Sequence, residues 1–192
     1  PTSHGSLLHM GEGPVERDSE HARRLRRAGA IPLGKTASPE FGTLQYTRTK
    51  AWGTTRNPWD PTRTPGGSRG GTAAAVAAGM IPFGTASDGG GSTRIPAAFS
   101  GLVGLKPSHG RIPHPDLDPS QTACYGALTT TVTDAARHLD VAAGPHDDDR
   151  LCLADGAGDG EDGAGQDPVE GSGKDMVPDR LPARAAEGIA GI

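Results

Sequence analysis

One stretch restricts this chain more than any other. Thr72-Ala73-Ala74-Ala75-Val76-Ala77-Ala78-Gly79 is rich in the best helix former and has no polar face. It predicts a helix over 72–79 that is hydrophobic all round and therefore buried. Its side chains are small, so its neighbours can approach to backbone distance. Glycine-rich text flanks it, with Gly66-Gly67-Ser68-Arg69-Gly70-Gly71 before and Ser87-Asp88-Gly89-Gly90-Gly91-Ser92-Thr93-Arg94 after. The surrounding text is that of an α/β fold. Short apolar runs predict strands at 30–33, 81–84 and 102–105, and a short helix with Pro96 in its first turn is expected at 95–99. A helix at about 16–28 is capped by Ser19 or Asp18, with a stripe of Ala22, Leu25 and Ala28 and a stop at Gly29. Another, at about 132–143, starts from Thr131 with Asp134 three residues on. Its expected apolar face is Val132, Ala135, Leu139 and Ala142, and Gly144-Pro145 ends it.

Composition matters mainly for where it fails. Only 33% of the 192 residues are hydrophobic and 4% aromatic, beside 30 glycines and 17 prolines. That is thin for a core of ordinary density. The deficit is worst in 154–175, which is Gly, Asp, Glu and Ala with almost nothing to bury, and such text is expected to be disordered. The reading therefore divides the chain into a folded part, 1–150, and a low-complexity tail, 151–192, that looks disordered or frame-shifted. Several classes fall away. No run of about 18 apolar residues exists to span a membrane, and two cysteines, Cys124 and Cys152, do not make a disulfide scaffold. A net charge of −4 implies no nucleic-acid footprint, and the Arg23–Arg27 cluster reads as a solvated helix face. The seven histidines show no zinc-site spacing with the cysteines. No secretory leader opens the chain, and the expected location is the cytoplasm. Pro1 rather than Met stands first, which leaves room for an upstream start.

Three polar residues sit where chemistry is usually built, in loops at element ends. Ser92 follows three glycines. Successive backbone N–H groups in such a turn can converge on an anionic oxygen, so the serine can stand as a nucleophile beside its own oxyanion hole. The same turn also reads as an anion-binding loop or a plain tight turn. Ser68 formally fits G-x-S-x-G, but no strand precedes it, and an N-cap on the alanine helix is the simpler role. Lys35 follows the expected strand 30–33, where a buried amine can act as a base and an exposed one does nothing special.

Together these segments resemble the amidase signature family. The resemblance runs through Pro65 to Ala77 and Ser87 to Ala98, continues in Gly101-Leu102-Val103-Gly104-Leu105-Lys106-Pro107, and extends upstream to Arg24 through Thr36 and Pro39-Glu40-Phe41-Gly42. Thr131 to Gly144 resembles the family's next helix, so the likeness covers roughly residues 2–150. It implies a partial amidase-signature fold with a mixed central sheet flanked by helices. It also implies a Ser–cis-Ser–Lys triad, with Ser92 as nucleophile, Ser68 as bridging serine in a cis peptide after Gly67, and Lys35 as base. The oxyanion hole would be the amides of Gly89, Gly90, Gly91 and Ser92, and Asp88 and Arg94 would shape the loop. No cofactor or metal is implied.

The implied function is hydrolysis of a small carboxamide to a carboxylate and ammonia or an amine through an acyl-enzyme on Ser92. Two other readings share the motif: an inactive truncated fragment, and the amidase component of an aminoacyl-tRNA amidotransferase. The expected partner is a small amide, not nucleic acid or membrane, and a homodimer is compatible. Arg69 departs from the small residue usual in the family, Ser100 replaces a frequent cysteine, and family members are far longer.

Overall fold

The computed structural model describes residues 2–115 and 122–153. The tail expected to be disordered lies, from residue 154 on, outside the described residues.

Helix α1 (Glu20–Arg27) is capped by Ser19, whose hydroxyl accepts from the Ala22 amide at 3.3 Å. Gly29, at φ +91°, follows its end. Leu25 of the expected stripe is buried, but Glu20 and His21 share the interior in place of Ala22 and Ala28. Glu20 is satisfied there by Arg23 at 2.5 Å and Arg24 at 2.6 Å. Arg24 also donates to the carbonyls of Ala142, Gly144 and Pro145 at 3.0, 3.2 and 2.6 Å, tying α1 to segment 142–145.

A small hairpin, β1 (Arg48–Thr49) with β2 (Gly53–Thr54), precedes the buried helix. That helix, α2, spans Gly70–Ala77, with Ala73 and Val76 almost wholly enclosed. It leads into β3 (Phe83–Asp88), α3 (Arg94–Ser100) and β4 (Val103–Leu105). Then come β5 (Cys124–Thr129) and α4 (Val132–Ala142). The sheet order is β3-β5-β4. Both ladders are antiparallel, so the described strands supply only the antiparallel part of the mixed sheet implied above.

The core joins α2, the sheet and α3 through Ala73, Val76, Ala86, Ala97 and Leu128, with Ile81 and Leu102 against it. Small side chains let the layers close. A methyl group on Gly84 would stand 2.3 Å from Thr72 Cγ2, so α2 touches β3 at backbone distance there. Trp59 and Asn57 close the end of α3, donating to the Ser100 carbonyl at 2.9 Å and the Phe99 carbonyl at 2.7 Å.

Helix α4 begins as expected. Thr131 Oγ1 accepts from the Asp134 amide at 3.1 Å and donates to the Asp134 carboxylate at 2.7 Å. Its buried residues are Ala135, His138 and Ala142, whereas Val132, expected inside, is 72% exposed. The sequence reading errs more at three strands. No strand forms at 30–33: Ile31 and Leu33 stand 81% and 74% exposed, because no ladder partner flanks them among the described residues. The strand expected at 81–84 begins at Phe83 and runs to Asp88. The central strand, β5, has no counterpart among the strands that the sequence predicts.

Candidate active site

Ser68 ends the loop before α2, and Ser92 ends the turn after β3. Packing of α2 on β3 brings them together: the amide of Arg69 donates to the Ser92 carbonyl at 3.3 Å. The Gly67–Ser68 peptide is cis, and Ser68 is 2% exposed. Ser68 is not the helix cap, since Arg69 occupies that position without a side-chain capping bond. Segment 44–47 forms the floor of this loop. A Cβ at Gly67 would lie 2.5 Å from the Leu44 carbonyl oxygen and 2.6 Å from the Tyr46 amide, so no side chain fits. Buried Thr47 donates its hydroxyl to the Gly66 carbonyl at 3.0 Å. Nothing in the local text marks Thr47 for this role, because the contact spans 19 residues.

The turn into Ser92 is organised by Asp88, which is 1% exposed. The amides of Gly91, Thr93 and Arg94 donate to its carboxylate at 2.6, 3.2 and 3.2 Å. Arg94 adds Nε at 2.9 Å and Nη2 at 3.0 Å. Burial opposes the charge on Asp88, but the Arg94 guanidinium and these amides outweigh it and hold its pKa at about 2. Gly91 takes φ +111°, a left-handed conformation that suits glycine. Its amide is thereby committed to Asp88. Gly89 and Gly90 lie exposed, and among the described residues the amides of Gly90 and Ser92 have no hydrogen-bond acceptor.

Lys35 is placed differently from the two serines. It is exposed, and its ammonium donates to Thr2 Oγ1. The adjacent chain does reach the site: Thr36 Oγ1 and Thr72 Oγ1 are 2.7 Å apart, and the Ala37 carbonyl accepts from the Gly71 amide at 3.2 Å. The structure thus brings the Lys35 backbone beside the start of α2 without bringing its ammonium onto Ser68. The bare segment 30–33 explains this, since nothing presses the lysine at its end inward.

Arg69 fills space that a small residue would leave open. Its Nη2 donates to Ser87 Oγ, while its Nε is buried with no partner. Burial pushes its pKa down. Elsewhere, a hollow of about 330 Å³ lies between α1 and α4, lined by Leu25, Ala28, Phe83, His138 and Val141. None of these residues belongs to the serine segments, and the hollow carries no nucleophile. Among the described residues, no cluster of three or more His, Cys, Asp or Glu side chains is arranged to hold a metal.

A family model described as amidase matches residues 1–160. A putative amidase, AmiA2, from Mycobacterium bovis is 47% identical over 153 residues, covering 78% of this chain and 31% of its own length. A glutamyl-tRNA(Gln) amidotransferase component from Prochlorococcus marinus is 48% identical over 138 residues, covering 71% of this chain and 28% of its own. Among solved structures, a bacterial aryl acylamidase of the amidase signature family superposes with a TM-score of 0.72 at 34% identity, covering 80% of this chain and 33% of its own. A 6-aminohexanoate cyclic dimer hydrolase does so at 0.69 and 43%, covering 72% and 30%. The chain thus spans about a third of the length of the curated relatives it matches.

Proposed function

From the premise that this chain belongs to the amidase family, we propose that it is built for acyl transfer from a small carboxamide, with Ser92 as the nucleophile. The observation that carries the reading is the Asp88-bound turn, which sets Ser92 one backbone hydrogen bond away from the residue after Ser68. A serine hydroxyl attacks a carbonyl only when a base takes its proton. In this reading Ser68 takes the proton from Ser92 and passes its own to Lys35, whose amine must be neutral to accept it. The Lys35 side chain must then swing from Thr2 toward Ser68; the residues after it, Thr36 and Ala37, already bond Thr72 and Gly71 at the start of α2.

Attack on the carbonyl produces a tetrahedral oxyanion. The Gly91 amide is engaged by Asp88, so stabilisation falls to the amides of Gly89, Gly90 and Ser92. One such donor is worth roughly 10²- to 10³-fold in rate. The leaving nitrogen collects the relayed proton, and water then hydrolyses the ester on Ser92 to release the acid. A cytoplasmic location belongs to the same reading, and the free thiols of Cys124 and Cys152 accord with it. Among the described residues, no helix is long and apolar enough to cross a membrane.

The test is covalent labelling. A fluorophosphonate probe is expected to label the wild-type chain at Ser92, to leave Ser92→Ala unlabelled, and to react more slowly with Ser68→Ala. A well-folded wild type that stays unlabelled would overturn the reading. It would favour a second one, a chain that keeps the turn but performs no chemistry, which the exposed position of Lys35 supports. Glutamine-dependent activity that appears only with co-purified partners would instead indicate one component of an amidotransferase.

A further inference from the structure

Behind the Ser92 turn lies a second reactive pair that the proposed chemistry does not use. Lys106 follows β4 directly, and Cys124 opens β5. The Lys106 ammonium donates to Cys124 Sγ at 3.2 Å. The cysteine is 4% exposed and the lysine half-buried. Cys124 is also the register partner of Asp88, the carboxylate that holds the turn. Lys106 thus lies one residue past the β4–β5 ladder and Cys124 at the end of the β3–β5 ladder, with nitrogen and sulfur already in contact.

We propose that Lys106 and Cys124 are a modification site at which peroxide joins nitrogen and sulfur through one oxygen atom, an N–O–S cross-link. The separation selects this product. A direct sulfur–nitrogen bond would need roughly half the observed distance, whereas an interposed oxygen needs only about half an ångström of approach, within reach of a flexible lysine stem.

The chemistry takes two equivalents of hydrogen peroxide. In the first step sulfur attacks one peroxide oxygen, the O–O bond breaks, an S–O bond forms, and water leaves, giving the sulfenic acid. In the second step an N–O bond forms between Nζ of the neutral amine and the sulfenic oxygen. One proton from nitrogen, the sulfenic proton and two electrons pass to the second peroxide, which leaves as two waters. The products are one Lys–NH–O–S–Cys bridge and three waters. A thiol reductant returns the amine and the thiol. The bridge would staple the exit of β4 to the start of β5 beside Asp88.

The test reads mass rather than turnover, so its failure is distinct from failure of the amidase reading. The folded chain is treated with hydrogen peroxide, quenched, denatured, alkylated and fragmented intact in a mass spectrometer. The expected product is heavier than the reduced chain by about 14 Da, unalkylated at Cys124, cross-linked to Lys106 on fragmentation, and reversed by dithiothreitol. Lys106→Arg keeps the cation and Cys124→Ser keeps the size, and neither should give the product. Peroxide treatment in guanidinium, which removes the contact, should not give it either. A gain of about 16 or 32 Da at Cys124, a loss of about 2 Da, or an unmodified thiol overturns the proposal.

Discussion

Replacing Asp88 by asparagine keeps the shape of the side chain and removes its charge. The carboxylate accepts from three backbone amides and two guanidinium nitrogens. If the asparagine carbonyl takes the Oδ2 position, it can still serve the Thr93 and Arg94 amides and Arg94 Nε. Its NH2 group then faces the Gly91 amide and Arg94 Nη2, donors against a donor at separations that are now 2.6 and 3.0 Å. Stranding one buried amide costs about 1–3 kcal/mol. The charge can be weighed separately: the fall in the Asp88 pKa from 3.8 to about 2 is worth about 2 kcal/mol at neutral pH. The two views overlap, and a loss of about 2–4 kcal/mol is expected at pH 7.

The pH dependence has a definite sign. The folded pKa lies below the unfolded one, so this stability is fully present above pH 3.8 and is lost as the pH falls through about 2. Urea unfolding followed by circular dichroism, repeated from pH 7 down to pH 2, should show wild type and Asp88→Asn far apart at neutral pH and converging in acid. A difference below about 0.5 kcal/mol at pH 7, or one that persists unchanged to pH 2, would refute the assignment of Asp88 as the anchor of the turn.

Other changes probe other links. Gly84→Ala drives a methyl group to 2.3 Å from Thr72 Cγ2 and should cost about 1–3 kcal/mol by thermal unfolding; Thr72→Ser in the same chain, which removes that methyl, should recover most of it. His21 and His138 meet at 2.7 Å in the interior. Burial, then the His138 charge and Arg24, lower the His21 pKa to about 3, and burial lowers that of His138 to about 4. The unfolded chain therefore takes up protons first, and stability should fall as the pH drops below 6.5 toward 4. Urea midpoints at pH 7 and pH 5 measure that slope, and His138→Leu should make it shallower. Arg69 is half-buried, its Nη2 bonded to Ser87 and its Nε enclosed without a partner, so Arg69→Met should leave stability unchanged or raise it by about 1 kcal/mol. A denaturant midpoint that falls sharply would show that the Ser87 contact outweighs the desolvation of the charge.

What the sequence determined by itself is what local physics decides. A hydroxyl at Ser19 or Thr131 caps a helix because its acceptor and donor lie three residues apart, and that spacing is legible in the text. The alanine run reads as a buried helix, and the glycines beside Ser68 and Ser92 read as turns. Ser68, Ser92, Asp88 and Arg94 lie close together through the Arg69–Ser92 bond and the Asp88 carboxylate. Tertiary structure decided the rest. Strand β5 was illegible because Cys124-Tyr125-Gly126-Ala127-Leu128-Thr129 has no alternation: it is enclosed by a neighbour on each side, and only β3 and β4 make it a strand. Ile31 and Leu33 fail in the opposite sense, being apolar text that reads as a strand but finds no ladder partner among the described residues. Thr47, Arg69 and the Lys106–Cys124 contact act across 18 or more residues. Their roles depend on which backbone folds against them, and no window of sequence contains that information.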